Sequence, residues 1–172
     1  MGTEGRLSVA EVLLRSAGAP TDTALAWDSH RRTYEELRQR STGLAGAMLR
    51  GGLQPGDRVA VHLLSRGETF ELYFACALAG LTLVPVNFRL TVRELEVVVE
   101  DSGAKMIFTQ ESIAETARAA ASGVPTIVLG DEASGEAYDA MVESEPWPVA
   151  PPTPPLRRRS RRYVPESDCQ WT

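Results

Sequence analysis

The residue types that most often carry out chemistry in proteins are sparse in this chain of 172 residues. It has one lysine, Lys105, and two histidines, His30 and His62. The sequence contains no GxxxxGK[ST] or GxGxxG phosphate loop, no GxSxG nucleophile elbow and no HExxH zinc motif. Its two cysteines, Cys76 and Cys169, are too few for a disulfide framework or a cysteine-rich zinc site. No familiar catalytic motif is therefore present.

Each remaining candidate has a structural interpretation that its position favours. His62 lies in a predicted strand, which favours a hydrogen-bonded core histidine over an acid–base role. Lys105 begins another strand and is expected in solvent, and Cys76 on an apolar helix is expected to act as a small hydrophobic residue. Asn87 and Arg89 follow a strand, where sites form in α/β proteins, so their proximity to a ligand stays open.

Composition and charge restrict the class of protein. The chain is 43% hydrophobic and 24% charged with a net charge of −5, which is ordinary for a single globular domain. The longest run without charge, residues 72–88, is too short and too interrupted for a membrane span. The N-terminus lacks the long apolar stretch of a signal peptide. These features predict a cytoplasmic, reducing location.

The charge is unevenly distributed along the chain. Residues 1–150 hold 13 of the 18 basic and 21 of the 23 acidic residues, whereas residues 151–172 hold five arginines and two acids. That last segment begins with prolines and has no apolar periodicity. We therefore predict a partial domain over residues 8–148 and a disordered, Pro/Arg-rich tail over residues 149–172. An arginine run without interleaved aromatic residues is a poor match to a nucleic-acid site, and no nucleic acid is expected as a partner.

Local motifs mark where several elements begin. Thr33 with Glu36, and Thr91 with Glu94, each fit a capping box at the start of a helix. A small hairpin is expected just before the first of these helices, turning at residues 28–30. From the first of these helices to the second, the predicted secondary structure alternates between strands and helices.

The predicted elements give a fold class. Helices are expected over residues 8–16, 33–50, 68–79, 91–101, 111–121 and 138–143, and strands over 59–64, 81–86, 105–109 and 126–129. The helix over 68–79 is apolar nearly all round, which predicts that it is buried. The strands are continuous apolar runs that alternate with helices, as is typical of parallel strands covered on both faces. The prediction is an α/β, doubly wound, mostly parallel sheet.

Five short segments, in order and in register, resemble the N-terminal region of the AMP-forming acyl-CoA synthetases, the adenylate-forming superfamily. They are TYEEL (33–37), LQPGDRVA (53–60), AG with VPVNFRL (79–80 and 84–90), EL (94–95) and DSGAK (101–105). The resemblance covers roughly residues 8 to 148. It implies a ligase that uses ATP and Mg²⁺ to activate a carboxylic or fatty acid as an acyl-adenylate and then transfers it to CoA.

The resemblance also implies where the chemistry resides. In the family, the phosphate loop ending in Pro-Lys-Gly and every later motif follow the segment matched here. No catalytic, cofactor-binding or metal residue is therefore assigned, and no cofactor is expected to bind this chain. The expected function is that of an inactive N-terminal fragment of a synthetase. The alternative is a non-catalytic α/β interaction module. Helices that lack their usual packing partners would expose apolar surface, and such surface favours self-association or aggregation.

The tail departs from the family where the phosphate loop would begin. Residues 156–172, back-translated with permitted codons and shifted by one base, give SDDEVAAMYRSRTASG, which is similar to the acidic lead-in and Ser/Thr/Gly-rich loop of the family. Out-of-frame reading of GC-rich codons also produces arginine runs. A frameshift is accordingly our hypothesis for the origin of the tail.

Overall fold

The structure is a computed structural model that describes residues 9–14, 19–131 and 135–148. The predicted tail, with its arginine run and Cys169, lies outside these residues. The helices are α1 (Val9–Leu14), α2 (Tyr34–Arg50), α3 (Gly67–Ala79), α4 (Val92–Ser102), α5 (Ala114–Ala120) and α6 (Glu136–Val142), with a 3₁₀ turn at Glu111–Ile113. The strands are β1 (Thr23–Trp27), β2 (His30–Thr33), β3 (Arg58–His62), β4 (Thr82–Pro85), β5 (Met106–Gln110) and β6 (Thr126–Leu129).

Both predicted capping boxes are confirmed. The Thr33 hydroxyl accepts the Glu36 amide at 3.2 Å, and the Glu36 carboxylate accepts the Thr33 amide at 2.7 Å. Thr91 and Glu94 repeat the arrangement at 3.4 and 2.9 Å. Because each box satisfies amides that the helix leaves unpaired, these two helices begin where the sequence predicts.

The hairpin before α2 is also present, with a tighter turn than expected. β1 and β2 pair antiparallel with Trp27 opposite His30, so the loop is only Asp28 and Ser29. Asp28 takes a positive φ of 48°, as two-residue hairpin loops require. His30 therefore belongs to β2 and stacks on the Trp27 ring at 5.6 Å, whereas the sequence placed it in the turn.

The main sheet is parallel and has the strand order β4-β3-β5-β6. The chain passes from β3 to β4 on one side and then returns across β3 to β5, so α3 and the pair α4 and α5 cover opposite faces. α1, α2 and α6 complete the α3 layer. Two clusters of buried apolar residues, one on each face, form the core. This confirms the doubly wound α/β prediction. Within the described residues no helix has the length and apolar character needed to span a membrane.

The expectation that α3 is buried on all sides is wrong for one flank. Leu72, Ala75 and Cys76 are buried as predicted, but Phe70 and Tyr73 are 53% and 47% exposed. The sequence shows only that the helix is apolar, whereas the number of elements that pack around it is a property of the tertiary structure.

Helix α6 and the residues that follow it pack closely against α2 at two glycines. A Cβ atom at Gly43 would lie 2.0 Å from the carbonyl oxygen of Val142, and one at Gly46 would lie 2.6 Å from that of Glu145. The hydroxyl of Ser144 donates to the carbonyl of Gly43 at 3.0 Å. Glycine at these positions of α2 therefore permits a backbone approach that any side chain would block.

Candidate functional site

The carboxyl ends of β3 and β5 form the place where a sheet of this topology is expected to bind ligands, because the chain reverses its winding direction between them. His62 ends β3 opposite Thr109, and Gln110 ends β5. All three side chains are buried. The candidate site is therefore this edge of the sheet together with the loops that follow it.

His62 is held inside the sheet as a core residue. Its Nδ1 lies 3.2 Å from the hydroxyl of Thr109, and the residue is fully buried. Burial lowers the pKa of His62 below its ordinary value, with a smaller opposing effect from the backbone of Phe88. The imidazole is thus neutral at pH 7, in agreement with the prediction of a hydrogen-bonded core histidine.

The side chain of Gln110 connects the segments that follow β3, β5 and β6. Its Oε1 accepts the amide of Leu64 at 2.9 Å, while its Nε2 donates to Ser112 at 3.0 Å and to Asp131 at 3.1 Å. The backbone amide and hydroxyl of Ser112 also donate to Asp131, and these bonds lower the pKa of its carboxyl group. These bonds consequently connect the loop after β3 to the segments that follow β5 and β6.

Side-chain hydrogen bonds of Arg66 also hold the loop before α3 in place. Arg66 donates to the Glu68 carboxylate at 2.9 and 3.0 Å and to the carbonyl of Gly130 at 2.7 Å. The indole of Trp27 covers Gly67 so closely that a Cβ there would lie 2.4 Å from the ring. The guanidinium of Arg66 is therefore paired with a carboxylate, which leaves it without a free positive charge for a phosphate at the first turn of α3.

Helix starts are the usual positions at which a fold of this kind binds phosphate. Each α-helix within the described residues carries a carboxylate in its first turn, at Glu11, Glu35, Glu36, Glu68, Glu94, Glu115, Glu136 and Asp139. These negative charges oppose an anionic ligand. The described residues do not fit the phosphates of ATP, and no step of an ATP reaction is derived through them. Among them there is also no cluster of three or more His, Cys, Asp or Glu residues suited to a metal ion.

A cavity of about 370 Å³ opens beside this edge. Its walls are the hairpin strand β1, the loop after β3, the first turn of α3 and the loop after β4. Trp27, Phe70 and Phe88 contribute aromatic rings, and Leu25 and Leu64 add aliphatic surface. Its lining suits an apolar occupant.

The residues singled out in the sequence are scattered. Asn87 accepts the amide of Arg89 at 3.0 Å within the loop after β4, and the Arg89 guanidinium lies over the Phe88 ring at 5.3 Å. Only Phe88 of this loop lines the cavity. Lys105 is exposed before β5, and burial raises the pKa of the Cys76 thiol to about 12. The structure does not bring these candidates together in one site.

A buried charged cluster was missed in the sequence. The carboxylate of Glu71 on α3 is fully buried and accepts Arg40 Nε at 2.7 Å and the Tyr138 hydroxyl at 2.8 Å. Arg32 approaches the same carboxylate at 3.5 Å, and the Arg40 guanidinium lies 5.9 Å from the centre of the Tyr138 ring. The cluster connects β2, α2, α3 and α6. A glutamate in the middle of an apolar helix is the one clue that the sequence offers.

A sequence profile of AMP-binding enzymes matches residues 14–165 of this chain. The chain belongs to the AMP-binding enzyme family. The match runs beyond residue 148, where we predicted the domain to end, and that boundary stays a prediction.

A fatty acid–[acyl-carrier-protein] ligase from Streptomyces coeruleorubidus is 36% identical over 138 residues, which cover 78% of this chain and 27% of the ligase. A feruloyl-CoA synthase from an Amycolatopsis species is 39% identical over 109 residues, which cover 63% of this chain and 22% of the synthase.

Solved structures support the same family. The benzoate CoA ligase of Burkholderia xenovorans LB400 superposes with a TM-score of 0.75 at 20% identity, over 86% of this chain and 31% of the ligase, and supports the fold alone. ATP-bound MatB from Rhodopseudomonas palustris has a TM-score of 0.72 at 27% identity, over 83% of this chain and 29% of MatB. This chain thus spans about a quarter of the length of the curated relatives it matches. The family and the α/β fold predicted from the sequence are both confirmed.

Proposed function

We propose that this chain forms the N-terminal portion of an AMP-forming acid–CoA ligase. Such a ligase converts a carboxylic or fatty acid, ATP and CoA into acyl-CoA, AMP and pyrophosphate, with Mg²⁺ as the expected metal and a cytoplasmic location. The family match over residues 14–165 carries the proposal. Similarity to a feruloyl-CoA synthase and to ATP-bound MatB supports a ligase within that family.

We further propose that the chain by itself does not form an acyl-adenylate. Two features support this: Gln110, Ser112 and Asp131 hydrogen-bond to one another at the carboxyl ends of β5 and β6, and acidic residues begin the described helices. The portion described here would then act as a scaffold for the rest of the domain. No catalytic, cofactor-binding or metal residue is assigned to it.

The test is acid-dependent exchange of labelled pyrophosphate into ATP. The purified full chain is assayed with Mg²⁺ and a panel of fatty and aromatic acids, beside the intact Streptomyces coeruleorubidus ligase as a positive control. Exchange by the chain should equal that of a protein-free blank. Exchange that scales with the amount of chain and requires an acid would disprove the proposed lack of activity.

The frameshift hypothesis is tested at the level of the gene. Resequencing through codons 148–172 and about one kilobase beyond would show whether a shifted frame continues into a Pro-Lys-Gly loop. If it does, the arginine run arises from the shift and the ligase proposal gains its missing motifs. If no synthetase sequence follows in any frame, the tail is genuine and the alternative below is favoured.

A non-catalytic interaction module is the second candidate, and the exposed aromatic flank of α3 favours it. Gel filtration of the full chain distinguishes the two. A monodisperse species at micromolar concentration would support a module that is stable alone. Aggregates would support a portion of a larger ligase domain whose apolar surface is left uncovered.

A further inference from the structure

The β1–β2 hairpin is a separate unit that is joined to the rest of the chain at its base. It forms its own two-stranded sheet, distinct from the four-stranded main sheet. At the base, the amides of Tyr34 and Glu35 in the first turn of α2 donate to the carbonyls of Asp22 and Pro20, each at 3.0 Å. The tip, residues 28–30, is exposed. Because a hairpin of two strands is only marginally stable alone, its contacts with α2 and α3 determine where it lies.

Two side-chain contacts hold the hairpin against α3. The Trp27 ring packs on Gly67 at the start of α3, so closely that a Cβ at Gly67 would collide with it. The guanidinium of Arg32 lies 5.5 Å from the centre of the Trp27 ring, and its Nε lies 3.5 Å from the Glu71 carboxylate. One arginine therefore connects both contacts. We call the pairs Trp27–Gly67 and Arg32–Glu71 the hairpin latch.

The two sides of the hairpin latch are held with different firmness. Glu71 is fully buried, and its carboxylate accepts Arg40 Nε at 2.7 Å and the Tyr138 hydroxyl at 2.8 Å. Arg32 Nε, in contrast, is buried and makes no hydrogen bond among the described residues. A buried donor without a hydrogen bond costs free energy. The hairpin side is therefore the weaker one, and loss of the latch would move the hairpin and leave α3 in place.

The hairpin is also one wall of the cavity at the carboxyl edge of the sheet. Leu25, Ala26 and Trp27 line this cavity of about 370 Å³ from the hairpin, and the loops after β3 and β4 and the first turn of α3 form its other walls. Rotation of the hairpin about its base would remove one wall. Because the hairpin is a sheet of its own, that rotation would break no hydrogen bond of the main sheet.

We propose that the β1–β2 hairpin is a flap that opens and closes over this cavity. Its hinge is the irregular pairing of β1 with β2 between Thr23 and Leu25, just beyond the base, since such an irregularity bends a strand. The structure shows the closed state, which the hairpin latch stabilises. Moving segments of this kind come from the parts of a fold that open at a lower free energy than global unfolding. The proposal does not depend on the ligase function, and its failure leaves that function untouched.

The first test follows the environment of Trp27 by fluorescence. The full chain is made with Trp147→Phe and Trp171→Phe, which leave Trp27 as its one tryptophan. Gly67→Ala is then added, because its methyl group would displace the ring while Arg32 stays in place. The constant for acrylamide quenching should rise at least two-fold and the emission should shift to longer wavelength, with an unchanged far-UV circular dichroism spectrum.

A second variant of the same single-tryptophan chain removes the charge of the latch. Arg32→Gln should give a similar rise in quenching. Arg38→Gln is the matched control and should leave quenching unchanged, because Arg38 also pairs with a glutamate but does so within α2. A rise in Arg32→Gln without one in Gly67→Ala would mean that the arginine only shields the ring, and would contradict the flap.

Nuclear magnetic relaxation dispersion of the ¹⁵N-labelled full chain tests the motion itself. The amides of residues 25–32 and the Trp27 indole should share one exchange process on the microsecond to millisecond timescale that is absent from β3 and β5. In Arg32→Gln the population of the minor state should be at least three-fold higher. Exchange with the same rate and population in the hairpin and the main sheet would be opening of the whole fold and would overturn the proposal. A hairpin without exchange in both proteins would overturn it as well.

Discussion

Replacing Tyr138 with phenylalanine isolates one hydrogen bond of the buried charged cluster. The Tyr138 hydroxyl donates to Glu71 at 2.8 Å, and both residues are fully buried. Phenylalanine keeps the ring, which packs edge-on against Phe108 at 6.2 Å and lies under the Arg40 guanidinium. Only the hydroxyl is lost. A hydrogen bond to a buried charged group contributes about 1.5–3 kcal/mol, so the free energy of unfolding should fall by about that amount.

Urea unfolding of the full chain at pH 7, followed by far-UV circular dichroism, measures this change. The midpoint should fall while the dependence on urea stays constant, because the surface exposed on unfolding is unchanged. Tyr73→Phe on the exposed flank of α3 is the matched control and should change stability by less than about 0.5 kcal/mol. If Tyr138→Phe matches Tyr73→Phe, the buried hydroxyl does not stabilise the cluster.

The pH dependence supplies an independent check on the same hydroxyl. Burial, reinforced by the Glu71 charge, raises the pKa of Tyr138 well above its ordinary value of 10.0. Above about pH 10 the unfolded chain loses this proton while the folded chain retains it, so stability falls as pH rises. The fall should be smaller in Tyr138→Phe than in the unmodified protein. An identical fall in both would show that Tyr138 does not titrate as the structure requires.

Three further predictions test other parts of the fold. Because the pKa of His62 is lowered, the folded chain resists protonation, so stability should fall as pH drops below about 6.5. Urea midpoints between pH 7.5 and 5.5 should fall less in His62→Gln than in the unmodified protein, and an equal fall in both would contradict the lowered pKa of His62. In a Cys169→Ser background, the Cys76 thiol should react with a disulfide reagent about 100-fold more slowly in the native protein than in denaturant, because the thiol is buried and its pKa is raised; equal rates would contradict its burial. Gly43→Ala should cost about 1–3 kcal/mol in urea unfolding, because its methyl group would collide with a carbonyl of α6, and a neutral effect would refute the close packing.

Much of the fold could be predicted from local patterns. The two capping boxes, at Thr33 and Thr91, depend on residues three apart, and the structure confirms both. Continuous apolar strands between helices predicted the parallel, doubly wound sheet. The Cys76 prediction also held, since a cysteine on an apolar helix is buried in its core. Each of these outcomes depends on interactions within one helix or strand, or on the spacing of its apolar residues.

The hydrogen bonds that connect the loops at the carboxyl edge of the sheet could not be predicted from local patterns. Gln110 bonds to the amide of Leu64 and to Asp131, residues that lie 46 and 21 positions away along the chain. Which polar side chains meet there depends on the register of β3 beside β5. Composition and spacing leave that register undetermined, so these hydrogen bonds emerge only from the folded chain.

The sequence by itself determined the elements and their order, because capping, turn chemistry and apolar periodicity act over a few residues. The family came from the resemblance of five short segments in register. The tertiary structure alone decided that Glu71 is buried beside Arg40 and Tyr138, and that Phe70 and Tyr73 remain exposed. Burial depends on how many elements pack around a helix, and a charged pair is stabilised only when distant segments bring its partners within bonding distance. For that reason the exposed aromatic flank of α3 was visible only in three dimensions.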